Sequence, residues 1–444
     1  MDFLKQIALP QSEAQIGVLH FVLNVIYLIL LPFISYLFGA LVLSLYTNRR
    51  GRISGGQYDL RFSEEVITHI LPTKNIVVLF GVVPFMALVF AYAQLLQSSA
   101  AISVSILTWG AILFAAAAAF ASSYQSSTKL SGVLNSISKP NDEIETYRSA
   151  MIETRQTSGK YALIFLSFAV YFLIAGTSLA SQPDQWLTVS SIVQLFLSLE
   201  VWVKVVQFLL LSLTIASLGT VYFTYSWQGG KKNIDNGYSN HVKKTALPIG
   251  LLSLLAQPVF VVLSIVLLPV SALSGLVFLS AFFIIFFVFI TSHFVYGMIK
   301  EFKNGYAGNA FYSFFLVLLF IVVQTTSSLS SSTQKHSALV AYHYDKVHEE
   351  LLAMMGIGVV SMTGEEIFGA KCSACHEFGA KKVGPAYKEV LPKYENDRAK
   401  LLSFVLNPQK MDPAFPPMPN QGLKPAEADS ISAYIMLMYK QAQK

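Results

Sequence analysis

The sequence is short of charged residues. Only 13% of its 444 residues are Asp, Glu, Lys or Arg, whereas roughly 25% is usual for a soluble globular protein. The deficit coincides with long apolar runs, each able to supply the roughly 20 residues that a membrane-spanning helix needs. Eight such runs are predicted as spans. They cover approximately Ile16–Leu45, Asn75–Leu96, Ala101–Ser123, Tyr161–Ala180, Leu197–Phe223, Ala246–Leu268, Gly275–Met298 and Ala310–Ser327.

Basic residues are absent from three of the loops between these spans: Gln97–Ala100, Ser181–Phe196 and Pro269–Ser274. The four other loops contain Arg49, Arg50, Arg52, Arg61, Lys74; Lys129, Lys139, Arg148, Arg155, Lys160; Lys231, Lys232, Lys243, Lys244; and Lys300, Lys303. Because basic loops tend to stay in the cytoplasm, this alternation predicts a bacterial inner-membrane protein with both termini on the periplasmic side. It also explains the basic residues without nucleic-acid binding, which nothing else in the sequence suggests.

Cysteine is nearly absent, and both cysteines belong to one motif. Cys372, Ser373, Ala374, Cys375 and His376 form C-x-x-C-H, the attachment signature of c-type haem. Two thiols on one turn can add to the two vinyl groups of a haem, and the adjacent histidine can reach the iron. A redox C-x-x-C pair would be expected in a βαβ context, and a zinc site would need further ligands that no other cysteine supplies.

The sequence around the motif is typical of a small helical domain. Thr363–Glu366 predicts a capping box and a short helix leading into the motif. Gly384–Pro385 follows the motif, and Asp429–Tyr439 predicts a closing amphipathic helix. In this order the elements resemble a class I cytochrome c domain over roughly 363–444. The resemblance implies one covalent haem c on Cys372 and Cys375, with His376 as one axial ligand of the iron.

A methionine is expected as the second axial ligand. Met418 lies between Pro417 and Pro419, which stiffen the chain on both sides. Met411 is the rival, whereas Met436 and Met438 lie on the last predicted helix and are expected in the core. A histidine–methionine pair raises the redox potential relative to two histidines, which favours an electron carrier.

The membrane part resembles, more distantly, subunit I of cytochrome bd quinol oxidases. The first span begins "LHFVLNVIYLILLPF", and the family has a haem-binding histidine at the position of His20. The stretch "VWVKVVQFLLLSLTIASLGTVYFTYSW" resembles the family's fifth helix. Gln207, however, stands where that helix has a haem-binding histidine, and the family's Gly-Arg-Gln-Pro-Trp signature is absent.

Ionisable residues inside the spans are candidates for function because burying them is costly. His20 lies near the outer end of the first span, and Glu200 and Lys204 near the outer end of the fifth. The i,i+4 spacing of Glu200 and Lys204 predicts an ion pair. These three residues form a predicted membrane site. The alternatives are a structural, hydrogen-bonded histidine and two side chains that reach the membrane interface.

The predicted fold is all-α. It consists of a transmembrane bundle over 1–327, a linker with a helix over 328–362, and a class I cytochrome c domain over 363–444. The Ser/Thr-rich stretch Ser327–Thr333 marks the start of the predicted linker.

The predicted function is single-electron transfer on the extracytoplasmic face of a respiratory or photosynthetic complex. The alternatives are a bd-like quinol-oxidising or oxygen-reducing subunit and a structural subunit that docks the cytochrome. Expected partners are redox subunits and the lipid bilayer. Quinone and haem b are the candidate cofactors of the membrane part.

Overall fold

A computed structural model describes residues 4, 8–135, 137, 141–231, 234–354, 362–395, 397–413 and 415–442. The predicted basic residues Lys139 and Lys232 lie outside this range. The chain divides into two compact units, Met1–Asp345 and Lys346–Lys444. The described residues contain helices and no strand, so the predicted all-α class is confirmed. The domain boundaries at 327/328 and 362/363 stay a prediction.

The first unit is a bundle of long helices. Its helices are α1 (Glu13–Ser54), α2 (Gln57–Ile70), α3 (Lys74–Val77), α4 (Val83–Leu95), α5 (Ser103–Asn135), α6 (Asp142–Ala180), α7 (Ile192–Phe196), α8 (Leu199–Tyr225), α9 (Asn236–Val266), α10 (Gly275–Lys300) and α11 (Asn304–Met354). A π-helical segment, Val78–Val82, joins α3 and α4 into one span. Eight described helices are long and apolar enough to cross a membrane, which confirms the predicted number of spans.

Helix α1 is the most buried span. Two thirds of its most apolar stretch, 67%, is buried, compared with 33% for α9. Leu23, Leu30, Ile34, Leu37 and Leu41 are all at most 1% exposed, and their spacing of three, four or seven residues places them on one face. This face is covered by neighbouring helices and forms the centre of the bundle.

Polar caps set the ends of several of these helices. Ser12 and Gln15 form a capping box before α1, and Gly55, with φ of 70°, ends the helix. Asn141 accepts a hydrogen bond from the Ile144 amide at the start of α6, and Asp235 caps α9 in the same way. These caps lie beyond the apolar runs, so the helices continue outside the stretch that hydropathy identifies.

Two segments differ from the sequence prediction. The segment after the first span was expected as a loop, but it contains α2, whose Phe62, Val66 and Ile67 are fully buried. The Ser/Thr-rich segment 327–333, predicted as a linker, lies inside α11. There Thr333 Oγ1 donates a hydrogen bond to the Leu329 carbonyl at 2.7 Å. Such bonds satisfy the hydroxyls within the helix, so serine and threonine do not interrupt it.

The second unit is a small helical domain. It contains α12 (Gly364–Ile367), α13 (Tyr387–Val390), α14 (Arg398–Leu406) and α15 (Pro425–Ala442), with a π-helical turn at Phe368–Cys372 and a 3₁₀ turn at Leu391–Tyr394. Its core includes Ile367, Leu391, Ile431 and Ile435. α12 and α15 cross closely at Gly364, where an added Cβ would lie 2.5 Å from the Ser430 carbonyl oxygen. Glycine is therefore required at this crossing.

Candidate haem site

A single turn of chain presents the two cysteines and the histidine. The predicted capping box is confirmed: Thr363 accepts from the Glu366 amide, and Glu366 accepts from the Thr363 amide. After the π-helical turn, the amides of Cys375 and His376 both donate to the Cys372 carbonyl, at 3.1 and 2.9 Å. These bonds wind the motif into one compact turn, so both thiols and the imidazole belong to one rigid segment. Cys372 is buried and Cys375 half-buried.

Burial raises the pKa of the Cys372 thiol, and the ammonium of Lys371 opposes that shift. Because the thiolate is the reactive form of cysteine, a raised pKa lowers the reactivity of this thiol.

The His376 ring is held by two neighbours, Pro385 and Tyr387. Its Nδ1 lies 3.2 Å from the Pro385 carbonyl oxygen. A carbonyl oxygen only accepts, so Nδ1 carries the proton and Nε2 keeps its lone pair for a metal. The ring also stacks on Tyr387, with centroids 4.9 Å apart and planes 6° from parallel. A hydrogen bond from the ring nitrogen that does not bind the metal is the usual way in which proteins orient a ligating histidine.

Gly384 leaves the space that the His376 ring occupies. A Cβ added at Gly384 would lie 2.4 Å from the ring carbon Cε1. The Gly384 amide also donates to the Cys375 carbonyl at 2.8 Å. The Gly384–Pro385 pair therefore closes back onto the motif turn, which fixes both the ring plane and its tautomer.

Two adjoining cavities lie beside this turn, with about 910 Å³ and 470 Å³ of empty space including their mouths. The smaller is lined by Cys372, Cys375, His376 and Met418 together. The larger shares His376 and Met418 with it and is lined mainly by apolar side chains. Two thiols, an imidazole with a free nitrogen and a thioether on one apolar cleft are the donor set that haem c requires.

Both candidate methionines reach the larger cavity, but only Met418 also lines the smaller one with the cysteines. The Met418 side chain is half-buried, whereas Met411 is 59% exposed. Met436 is 7% exposed and belongs to the core as expected, whereas Met438, two residues further along α15, is half-buried and is not part of the core. The geometry therefore supports the choice of Met418 as a ligand.

Two residues of the site were not identified from the sequence. Lys371 Nζ donates to the Gln421 carbonyl at 3.1 Å, which ties the loop after Met418 to the motif turn. Tyr387 packs against His376, and burial raises the pKa of its phenol. An aromatic residue two positions after Gly384–Pro385 was the only available signal for Tyr387. Nothing local in the sequence indicates the bond made by Lys371.

The predicted membrane site is only partly brought together. Lys204 Nζ lies 2.5 Å from Glu200 Oε1, so the predicted i,i+4 ion pair forms. Gln182 also donates to Glu200, and Lys204 donates to Ser178 Oγ at 3.1 Å. No hydrogen bond or ion pair between described residues joins His20 to this pair, and the His20 Nδ1 atom has no described partner.

Comparisons with known proteins cover the second unit. The cytochrome c family model matches residues 361–438. Cytochrome c-552 of Hydrogenobacter thermophilus is 33% identical over 91 residues, which are 19% of this chain and 92% of that protein. Cytochrome c-551 of Pseudomonas denitrificans is 36% identical over 80 residues, which are 17% of this chain and 98% of that protein. No significant match to a solved structure was found.

The matched region contains the whole cleft and nearly all of the second unit. Membership of the cytochrome c family implies that the chain binds haem c covalently and transfers electrons. The eight long apolar helices that precede this region indicate a multi-pass membrane protein. Through its C-terminal domain, the chain belongs to the cytochrome c family.

Proposed function

We propose that this chain is a membrane-anchored monohaem cytochrome c subunit. It passes single electrons between a donor and an acceptor on the extracytoplasmic face of a bacterial inner membrane, within a respiratory or photosynthetic complex. The observation that carries the proposal is the single cleft that Cys372, Cys375, His376 and Met418 line together. The alternating basic loops support the proposed location, because basic loops tend to stay in the cytoplasm and the C-terminal domain would then lie on the opposite side.

Each residue of the cleft has a defined task in this proposal. Cys372 and Cys375 hold haem c through two thioether bonds, and His376 and Met418 ligate its iron. The haem supplies a reversible one-electron couple. Pro385 and Tyr387 keep the imidazole in one orientation, and Lys371 holds the methionine loop near the motif turn. Two fixed ligands reduce the rearrangement that accompanies a change of iron charge, which suits electron transfer rather than oxygen binding.

A reduced-minus-oxidised spectrum combined with haem extraction tests this function. We expect one haem per chain, of c type, which acidified organic solvent does not remove. An additional extractable haem would instead support the second candidate, a bd-like quinol-oxidising or oxygen-reducing subunit. The observation that favours that candidate is the partly buried Glu200–Lys204 pair in α8. Copurification with other subunits, without any membrane cofactor, would support the docking role.

Reporter fusions test the proposed topology. A reporter that is active only in the periplasm should work after Lys444 and fail at Lys232. An inactive fusion after Lys444 together with an active fusion at Lys232 would contradict both the proposed orientation and haem attachment outside the cytoplasm.

A further inference from the structure

The first unit contains a cavity of about 960 Å³, including its opening. It lies among α1, α6, α8, α9 and α11, each of which contributes lining residues. Its surface is mostly apolar, with the polar side chains Lys204, Gln207, Gln324 and Ser328 in its wall. Because five helices of one compact unit surround it, the cavity is part of the bundle and differs from the haem cleft.

The cavity has a polar end and an apolar end. Lys204 and Gln207 are three residues apart on α8, and Gln324 and Ser328 are four apart on α11, so each pair lies on one helix face. Lys204 is near the start of α8, whereas Leu211 is seven residues, or roughly 10 Å, further along the helix. The wall thus offers polar side chains near the start of α8 and apolar side chains further along the helix.

One of the polar groups is buried without a partner. Ser328 is 5% exposed, and its Oγ makes no hydrogen bond to any described residue. Leaving a buried hydroxyl without a hydrogen-bond partner destabilises the protein. A ligand that accepts a hydrogen bond at this end of the cavity would remove that cost.

The lining residues restrict the class of ligand. Among the described residues that line the cavity, none is histidine, cysteine or methionine, and the hydroxyl of Tyr27 is hydrogen-bonded to Tyr92 at 2.8 Å. The wall therefore offers no free side chain of the usual kinds that ligate a haem iron. The ammonium of Lys204 is already paired with Glu200 at 2.5 Å. An anionic phospholipid head would therefore meet a neutral pair rather than a free cation. A ligand with a neutral, flat head group that carries carbonyl acceptors would match the polar end of the cavity. A long apolar tail on the same ligand would match the apolar end.

We infer that this cavity binds a lipid-soluble quinone, with its ring carbonyls toward Gln324, Ser328 and Lys204 and its tail toward Leu211. The inference rests on the proposed electron-transfer function, since quinones are the redox carriers that dissolve in the bilayer that these helices are long and apolar enough to cross. The inference concerns the binding of a quinone in this cavity. The predicted residue His20 is not part of the wall.

The test measures binding of a decyl-substituted benzoquinone to the purified holoprotein in detergent by equilibrium dialysis. Gln324→Leu keeps the volume of the side chain but removes its amide, and we expect about fivefold weaker binding from one lost hydrogen bond. Ile321→Trp fills the apolar part, and we expect a loss of at least about tenfold through steric exclusion. Val323→Trp is the matched control: it lies on the same helix, outside the wall, and should stay within about twofold of the unchanged protein.

The inference would be overturned if the unchanged protein and its three variants bound the quinone equally. It would also be overturned if the protein held phospholipid tightly and the quinone did not displace it. Absence of saturable binding by the unchanged holoprotein would overturn it too. Haem c content and reduction by ascorbate are measured on the same samples. A failed quinone site with intact haem c reduction would leave the electron-carrier function standing, whereas absence of haem c would refute that function directly.

Discussion

The two units of this protein build their sites over very different lengths of chain. In the cytochrome domain the bond between Lys371 and Gln421 spans 50 residues, and the bond from His376 to Pro385 spans nine. In the membrane unit Thr326 donates to Asn24, 302 residues away, and the cavity wall extends from Tyr27 to Ser328. The first site is built within residues 371–435, whereas the second depends on the packing of five helices from distant parts of the first unit. Substitutions in the two units should therefore have separable effects.

The largest expected effect is on haem attachment. Replacing both Cys372 and Cys375 with alanine should abolish covalent haem, because no other thiol exists in the sequence. Haem that survives acidified-solvent extraction, measured by the pyridine haemochrome spectrum, should fall to background. Ser373→Ala, between the two cysteines, should retain it. Solvent-resistant haem in the double variant would mean attachment through another residue.

The next largest effect concerns the iron ligand. Met418→Ala should abolish the weak near-infrared band of sulfur-ligated oxidised iron and lower the redox potential, since a thioether ligand raises it. Met411→Ala, at an exposed position beside the same cavity, should leave both unchanged. The reverse pattern would assign ligation to Met411, and no change in either variant would point to a different sixth ligand.

A substitution in α8 tests whether the membrane unit can be destabilised without a change in the cytochrome domain. Glu200→Gln removes the partner of the partly buried Lys204 and should destabilise that unit by about 2 kcal/mol, because a desolvated charge is left unpaired. Thermal unfolding followed by far-ultraviolet circular dichroism should show the loss, while the redox potential of haem c stays constant.

Glu301→Gln provides the control for that experiment. Glu301 and Lys303 form an exposed pair at 3.3 Å, and exposed pairs contribute little to stability. Equal shifts for Glu200→Gln and Glu301→Gln would show that burial does not distinguish the two pairs. A changed haem potential in Glu200→Gln would show that the two units are coupled.

The smallest expected effect is on the methionine loop. Lys371→Met keeps the apolar stem but loses the bond to the Gln421 carbonyl, which should weaken the loop by about 1 kcal/mol. The near-infrared band should then disappear at a lower temperature than in the unchanged protein. Lys382→Met, which loses an exposed bond to the Ser373 carbonyl, should not shift that temperature. An unchanged midpoint for Lys371→Met would show that the prolines alone hold Met418.

The sequence was sufficient for the number of spans and for the cofactor. Long apolar runs directly indicate segments in contact with lipid. The C-x-x-C-H motif contains all the residues that attach the haem within five consecutive positions. The ion pair of Glu200 and Lys204 was also predictable, since helical periodicity alone brings these side chains together. Each of these features depends on local spacing.

Features that depend on packing or on helix ends were not predictable in the same way. Helix α6 begins at Asp142, well before the predicted span at Tyr161, because its cap at Asn141 lies in polar sequence. Helix α2 could have been recognised from the spacing of Phe62, Val66 and Ile67, but hydropathy does not select so polar a segment. The close approach of Gly384 to His376, and the cavity beside Lys204, arise only after distant segments meet.

The Glu200–Lys204 pair has a consequence for how the protein enters the membrane. Every hydrogen-bonded or ionic partner described for the pair is either within α8 or earlier in the chain, at Ser178 and Gln182. A lone lysine costs about 2.5–3.5 kcal/mol at the centre of a spanning helix, but here the opposite charge arrives one turn ahead of it. During synthesis α8 can thus be inserted with its lysine already neutralised, before α9, α10 and α11 have been made.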